Sequence, residues 1–472
     1  MQTEADDLIA RERGLKRMLT SRQLTMIGLG GAIGTGLFMG SGIAIAYAGP
    51  GVLVSYAIAA FIALAVMYSL SEMAVAHPTA GSFGTYADLY VSPWIGFLVR
   101  YTYWACQVVA IGGEAIAIGQ YLTFWFPNLP VWTSALAAGA AIFYVNSRSV
   151  ANFGTAEYWL STIKVTAVIF FILFGIAAIS GIGTPALGFA NYSVDGGPFP
   201  HGFGGIWMAV VVGIFSFTGT EVIAVTAGEA ENPSVSVPRA MKTMLFRLAL
   251  FYFLALAVVL AVVPWSHSGA TIVTESPFVK VFSVFGLASA ATVMNFVIIS
   301  AAFSSMNTNL YLCTRMLFSL ARSNDAPKVL GSVSKRGTPW HAAAVSTLGV
   351  LAAAMTAYAS PAAWNYLFGV ALFGAILTWM IILFTHLVFR RKYPPEKRAQ
   401  LAVHAPLSPW LQILGLGLLF AVLVTMGFDT QFWNVAIIVG VPWVIVVSVC
   451  YFVLRARRRP REVVGVSHEV DV

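Results

Sequence analysis

The residues of this chain that could do chemistry lie in runs too apolar to be at home in water. Lys164 sits about eight residues into one such run, Glu114 follows Gly112-Gly113 in another, and Glu221 closes the stretch GIFSFTGTE at 213–221. A charge at the centre of a bilayer costs at least ~2.5 kcal/mol, so ionisable residues at that depth are functional candidates by default. Beside them lies GLGGAIGTGLFMG, residues 28–40, in which six of thirteen residues are Gly. Glycine costs about 1 kcal/mol relative to Ala in a helix interior. Such a cluster is either a seam of small residues for close helix packing or a place where the helix breaks. Inside a membrane, broken backbone survives only where it is buried in protein or lines a cavity.

The elements that must position these residues follow from composition. The 472 residues are 58% hydrophobic and 10% charged, with mean hydropathy +0.81; soluble chains carry about 25% charge. Apolar segments recur at roughly 22–46, 51–76, 94–126, 131–147, 156–180, 204–229, 243–264, 280–320, 341–359, 362–389, 409–427 and 431–455. A crossing needs about 20 residues, so an all-α integral membrane protein of twelve transmembrane helices is expected. No cleavable signal is expected at residues 1–21, which lack a short apolar core.

The net charge of +8 is an orientation signal rather than a nucleic-acid patch. With both termini cytoplasmic, the basic stretches 11–22, 239–247, 315–336, 390–398 and 455–461, with Arg148, fall at the inner face, and Arg100 lies near the inner end of the third segment. The outer connections carry no Lys or Arg, leaving Lys280 at an outer mouth and Lys164 at depth. A multi-pass protein of the bacterial cytoplasmic membrane is expected.

Five of the nine residues at 213–221 are Gly, Ser or Thr, so segment six carries a second break candidate. Segments one and six are equivalent positions if 1–5 and 6–10 form an inverted repeat, and paired interrupted segments are a pointer to a transporter's binding site. The stretches LTMIGLGGAIGTGLF, AGPGVLVSYAIAAFIALAVMYSLSEMAVAHPTAGSF, YWLSTIK and GTEVIAVTAGEAENPSVSVPRA, and the loop ARSNDAPKVLGSVSKRGTP, resemble the bacterial amino-acid permeases of the amino acid–polyamine–organocation superfamily. The resemblance runs from about Leu19 to Lys392. It implies a five-plus-five inverted-repeat, LeuT-like fold with broken helices one and six and two peripheral helices. It further implies uptake of amino acids driven by protons. The expected organisation is a tail at 1–21, a core at 22–392 with repeats at about 22–180 and 204–389, two further spans at 409–455, and a tail at 456–472.

An amino acid carries a carboxylate and an ammonium on one carbon, and both must be satisfied away from water. A helix restarting after a Gly-rich break offers free N–H groups and a positive dipole end to the carboxylate. Thr35 and Gly36, with Gly34, are therefore assigned to it. Carried over from the resemblance, Ala32 and the backbone at Phe215 and Thr218 would supply carbonyls to the amine, with Phe215 an aromatic gate; the alternative for Phe215 is an ordinary core aromatic. The resemblance places Lys164 where sodium-coupled relatives hold a cation, with Ser304 and Ser305 completing that spot. The alternative is a cation that merely ties helices together. Glu114 and Glu221 are candidates to carry the proton, and Glu114 could instead face a cationic side chain. Glu72, Glu157, Glu229 and Glu231 are expected near inner ends, within reach of water and the basic loops, in structural pairing or gating; the alternative is substrate contact.

Several classes are excluded. His77, His201, His267, His341 and His386 show no metal spacing, and Cys106, Cys313 and Cys450 form no disulfide or metal pattern. The Gly run lacks the GK[ST] ending of a nucleotide-phosphate loop, and GLGGAIG lacks the βαβ context of a dinucleotide site. No enzyme, ATP, metal or cofactor is expected beyond the coupling proton, and the oligomeric state is open. Three functions remain: a proton-coupled importer, an amino-acid or amine exchanger on the same fold, and a non-transporting sensor. The substrate's identity is not legible, because backbone atoms read only the part all amino acids share.

Overall fold

A computed structural model describes residues 15, 18–148, 150–182, 185–268, 276–286, 288–334, 337–360, 363–429 and 433–457. The expected tails therefore lie outside the described residues, save for 15, 18–21 and 456–457. The helices are α1 Ser21–Ala32, α2 Ser41–Ala48, α3 Val52–Ala76, α4 Ser82–Tyr90, α5 Pro93–Leu122, α6 Val131–Arg148 and α7 Val150–Ser180. There follow α8 Gly202–Phe217, α9 Val222–Thr226, α10 Pro233–Val262, α11 Trp265–Ser268, α12 Pro277–Val284 and α13 Ala288–Arg322. The chain closes with α14 Trp340–Ala359, α15 Ala363–Lys392, α16 Pro395–Ala399, α17 Trp410–Phe428 and α18 Asn434–Arg457. Among the described residues there is no strand; an isolated bridge joins Leu19 and Ala230.

Ten helical segments among the described residues are long and apolar enough to cross a membrane. The 56-residue run from Ser21 to Ala76 is one of them and bends twice. It breaks after α1 at Ile33, whose ψ of 81° is not helical, and again at Gly49, whose φ of +57° glycine adopts freely. The α6 segment, at 18 residues, falls short of the other ten in length or apolarity. Helix α4 has no counterpart in the hydropathy reading, and α10 begins ten residues before the expected seventh segment. Hydropathy marks the part of a helix at lipid depth, whereas the backbone ladder of α10 continues into its polar first turns; α4 is a separate buried helix of nine residues, too short to cross.

Packing sets the site. Helix α5 lies at the centre, in contact with α13, α15, α14, α6 and α4. Helix α1 packs on α7 and α10, and α3 packs on α8. Between the helices the apolar side chains of α1–α3, α8 and α10 form one continuous core. The surface that faces outward is also apolar: Phe170, Phe203, Phe246, Met355 and Phe428 are exposed, as expected where lipid rather than water is the solvent.

Candidate functional site

Both Gly-rich stretches are breaks, and they meet. Helix α1 ends at Ala32, and the chain resumes as a π-helical turn over Gly36–Gly40 that runs into α2. Helix α8 ends at Phe217, Thr218 is extended (ψ 153°), Gly219 takes φ +88°, and α9 begins at Val222. A Cβ on Gly219 would stand 2.6 Å from the Gly31 carbonyl oxygen, so glycine there supplies both the backbone angle and the approach of one break to the other. Tyr252 of α10 ties them: its hydroxyl lies 2.8 Å from the carbonyls of both Ala32 and Ser216. Ser216 in turn donates to the Gly36 carbonyl at 3.1 Å.

A cavity lies against the two breaks. Its atom-free space, mouth included, is about 430 Å³, and Gly34, Gly36, Glu114, Phe215, Ser305 and Asn309 are among its walls. Phe215 also lines a smaller cavity near Trp364, and its ring packs on Phe368 with centroids 4.1 Å apart. The expected backbone acceptors carry internal donors. The Ala32 carbonyl receives Tyr252 and the Gly34 amide, and the Phe215 carbonyl receives the Thr218 amide at 3.0 Å and its hydroxyl at 2.7 Å.

Lys164 is fully buried on α7. Its Nζ lies 2.5 Å from the Gly30 carbonyl, 2.9 Å from the Ile33 carbonyl and 2.9 Å from Ser304 Oγ. An ammonium has three N–H donors and no acceptor; here each donor has one partner, and two of the partners are carbonyls freed by the first break. The Ser304 hydroxyl in turn donates a hydrogen bond to Glu157, whose other oxygen accepts from Asn307 at 2.9 Å. Ser305, one residue on along α13, turns the other way, toward Gly34 and the cavity. The two serines expected to share one spot therefore serve two.

Glu114 lies on α5 with Oε1 3.4 Å from the Thr35 amide. Glu221 is enclosed by donors: Tyr103 at 2.8 Å, the Gly219 amide at 3.1 Å and the Trp379 indole at 3.4 Å. It holds the second break in shape and is not among the residues lining the cavity.

The expectation that water reaches Glu72, Glu157 and Glu229 is corrected, since all three are fully buried; Glu231 is exposed. The physical reason is the structural pairing expected of them, which lets the carboxylates be buried. Glu72 accepts from His386, Arg390 and the Ala405 amide. Glu229 accepts both arms of Arg315 at 2.7 and 3.1 Å, with the guanidinium 3.8 Å over the Tyr311 ring. Tyr311 stacks on Phe153 at 4.3 Å, and the amides of Met18 and Leu19 donate to the Glu229 carbonyl. These contacts close the end of the bundle that carries the basic residues.

Glu157, Asn307, Tyr252 and Tyr103 are site-supporting residues that sequence reading missed. For Glu157 a signal existed: it stands seven residues, two helical turns, before Lys164 and so on the same face of α7. For Tyr252 none did, because its role depends on where α10 lies relative to α1 and α8.

Among the described residues, no group of three or more His, Cys, Asp or Glu could hold a metal ion. Comparison with known proteins gives the family. The profile of the family described as amino acid permease matches residues 23–464. The γ-aminobutyric acid permease of Bacillus subtilis is 38% identical over 451 residues, 95% of each chain. The aromatic amino acid transport protein AroP of Escherichia coli K12 is 38% identical over 442 residues, 93% of this chain and 95% of that one. The amino-acid permease RocE of B. subtilis is 36% identical over 453 residues, 94% and 96% of the two chains. With breaks in paired apolar segments, a cavity between them and likeness along nearly its whole length, this chain belongs to the amino acid permease family, and it is a multi-pass membrane transporter rather than an enzyme.

Proposed function

We propose that this permease imports amino acids across the bacterial cytoplasmic membrane by proton symport with alternating access, both termini lying in the cytoplasm. Twelve crossings are consistent with the helices. Ser21–Ala76 supplies two of them, nine further segments supply one each, and α6, reaching ~27 Å at 1.5 Å per residue, supplies the last. Breaks in the first and sixth crossings suit the five-plus-five inverted repeat.

In this reading the substrate carboxylate is received by the backbone amides of Thr35 and Gly36, with Gly34 leaving room. Its ammonium goes to the carbonyls of Ala32, Phe215 and Thr218. A charge-assisted hydrogen bond is roughly twice as strong as a neutral one, so the ammonium displaces the hydroxyl and amide donors now on the Ala32 and Phe215 carbonyls. Phe215 and Phe368 close over it. Among the relatives, one is named for γ-aminobutyric acid and another for aromatic amino acids; these compounds share a carboxylate and an ammonium but not the carbon that joins them, so the two charged groups, not one side chain, are the basis of the assignment.

The observation that carries the coupling is the Lys164 ammonium on the carbonyls of Gly30 and Ile33. A resident cation there serves the purpose a sodium ion would, and it ties α7 to the first break. Rearrangement of the break for alternating access must undo those bonds. Purified protein in liposomes, offered radiolabelled L-phenylalanine and γ-aminobutyrate, tests this. Wild-type protein is expected to accumulate substrate in empty liposomes when a proton gradient is imposed, and Lys164→Ala to lose that accumulation. Gradient-driven accumulation by Lys164→Ala at the wild-type rate would overturn the role of Lys164. Uptake only into liposomes preloaded with an amino acid would favour an exchanger.

A further inference from the structure

The amide assigned to the substrate carboxylate already has a carboxylate beside it. Glu114 Oε1 lies 3.4 Å from the Thr35 nitrogen, a long hydrogen bond, and 3.0 Å from where a Gly34 Cβ would stand. Glu114 is 5% exposed; the Ser305 and Thr35 hydroxyls lie beside its carboxylate, and its Oε2 is left without a hydrogen-bond partner. It lines both cavities, as Phe215 does. No cation neutralises it directly: the Lys164 ammonium, the charged group facing it from α7, spends its three donors on Gly30, Ile33 and Ser304. The other titratable groups nearby, Tyr121 and Cys106, are on its own helix. The side chains that α13, α15 and α8 present to the cavity, Ser305, Asn309, Ala371, Ala375 and Phe215 among them, do not titrate.

We infer that Glu114 and the substrate carboxylate compete for one seat, the Thr35 amide, and that each amino acid bound there brings one proton onto Glu114. This rests on the amino-acid reading of the site and deepens it by naming the group that takes the proton. Two carboxylates sharing one site cannot both remain ionised. Uptake of a proton removes the repulsion and releases Glu114 from the amide, so the substrate's own carboxylate can accept from it. The bound pair is then a neutral Glu114 beside a zwitterion. Charge balances because the site gains one proton per substrate.

The sign of the linkage is fixed. The bound state holds one more proton than the free state, so affinity rises as pH falls. Above the titration of Glu114 in the free site, the apparent Kd should weaken about tenfold per pH unit. Calorimetric titration of the detergent-purified protein with the twenty proteinogenic amino acids and γ-aminobutyrate, in buffers of different ionisation heat, reads proton uptake directly and needs no variant. One proton per substrate is expected on the alkaline limb. Glu114→Gln should bind with a flat pH profile and no proton uptake. Substrate binding by the wild type with no proton taken up, or a Glu114→Gln protein that keeps the wild-type pH slope, overturns the inference while leaving the amino-acid site standing. Failure of the wild type to bind any of these compounds overturns the amino-acid reading and this inference together.

Discussion

Substituting Gly219 tests whether the two breaks depend on each other. At φ +88° an alanine side chain costs ~1–2 kcal/mol from backbone strain alone. Its Cβ would also stand 2.6 Å from the Gly31 carbonyl oxygen and 2.9 Å from the Gly31 carbonyl carbon. Both are backbone atoms of the first break, so no side chain can swing aside, and overpacking of this kind adds ~1–3 kcal/mol. Gly219→Ala should therefore destabilise by about 2–5 kcal/mol. Gly188 supplies the control. It has φ +60° with nothing within 4 Å of its would-be Cβ, so Gly188→Ala should show only the strain of ~1–2 kcal/mol. Equilibrium unfolding of both variants in mixed micelles isolates the contact as the difference between them. Amino-acid binding by the same samples should fall for Gly219→Ala and hold for Gly188→Ala. Equal unfolding free energies for the two variants would refute the claim that the breaks are in contact.

Two further perturbations probe what holds the site. Tyr252→Phe keeps the ring and removes the hydroxyl shared by the Ala32 and Ser216 carbonyls, so it should destabilise by ~1–3 kcal/mol; unfolding free energies in micelles measure this, and an unchanged value would remove Tyr252 from the site's support. Arg315→Met leaves the Glu229 carboxylate buried without its partner and should cost ~3–5 kcal/mol. Adding Glu229→Gln should recover part of that loss in a double-mutant cycle, and strict additivity would mean that the pair acts independently.

The sequence by itself determined the class of this protein and where along the chain its helices break. Hydropathy is a one-dimensional property, and a run of apolar residues reports depth in the membrane whatever its neighbours are. The two breaks were legible for the same reason, since Gly at 34, 36 and 219 is a local preference of the backbone. Lys164 stood out because a charge in an apolar run needs a partner.

What the sequence left open is rotation about each helix axis and the choice of neighbour, which only packing decides. Glu114 meets Thr35 across 79 residues, and Arg315 meets Glu229 across 86. Ser304 and Ser305 are adjacent in sequence, yet successive helical positions are about 100° apart, and one faces the Lys164 ammonium while the other faces the cavity. Glu157 read as an end-of-helix acid within reach of water, but α13 brings Ser304 and Asn307 to it and makes it part of the Lys164 cluster. The tertiary structure thus decided which charges share a site, because the cost of burying a charge is met by groups from other helices, whose arrival no local pattern records.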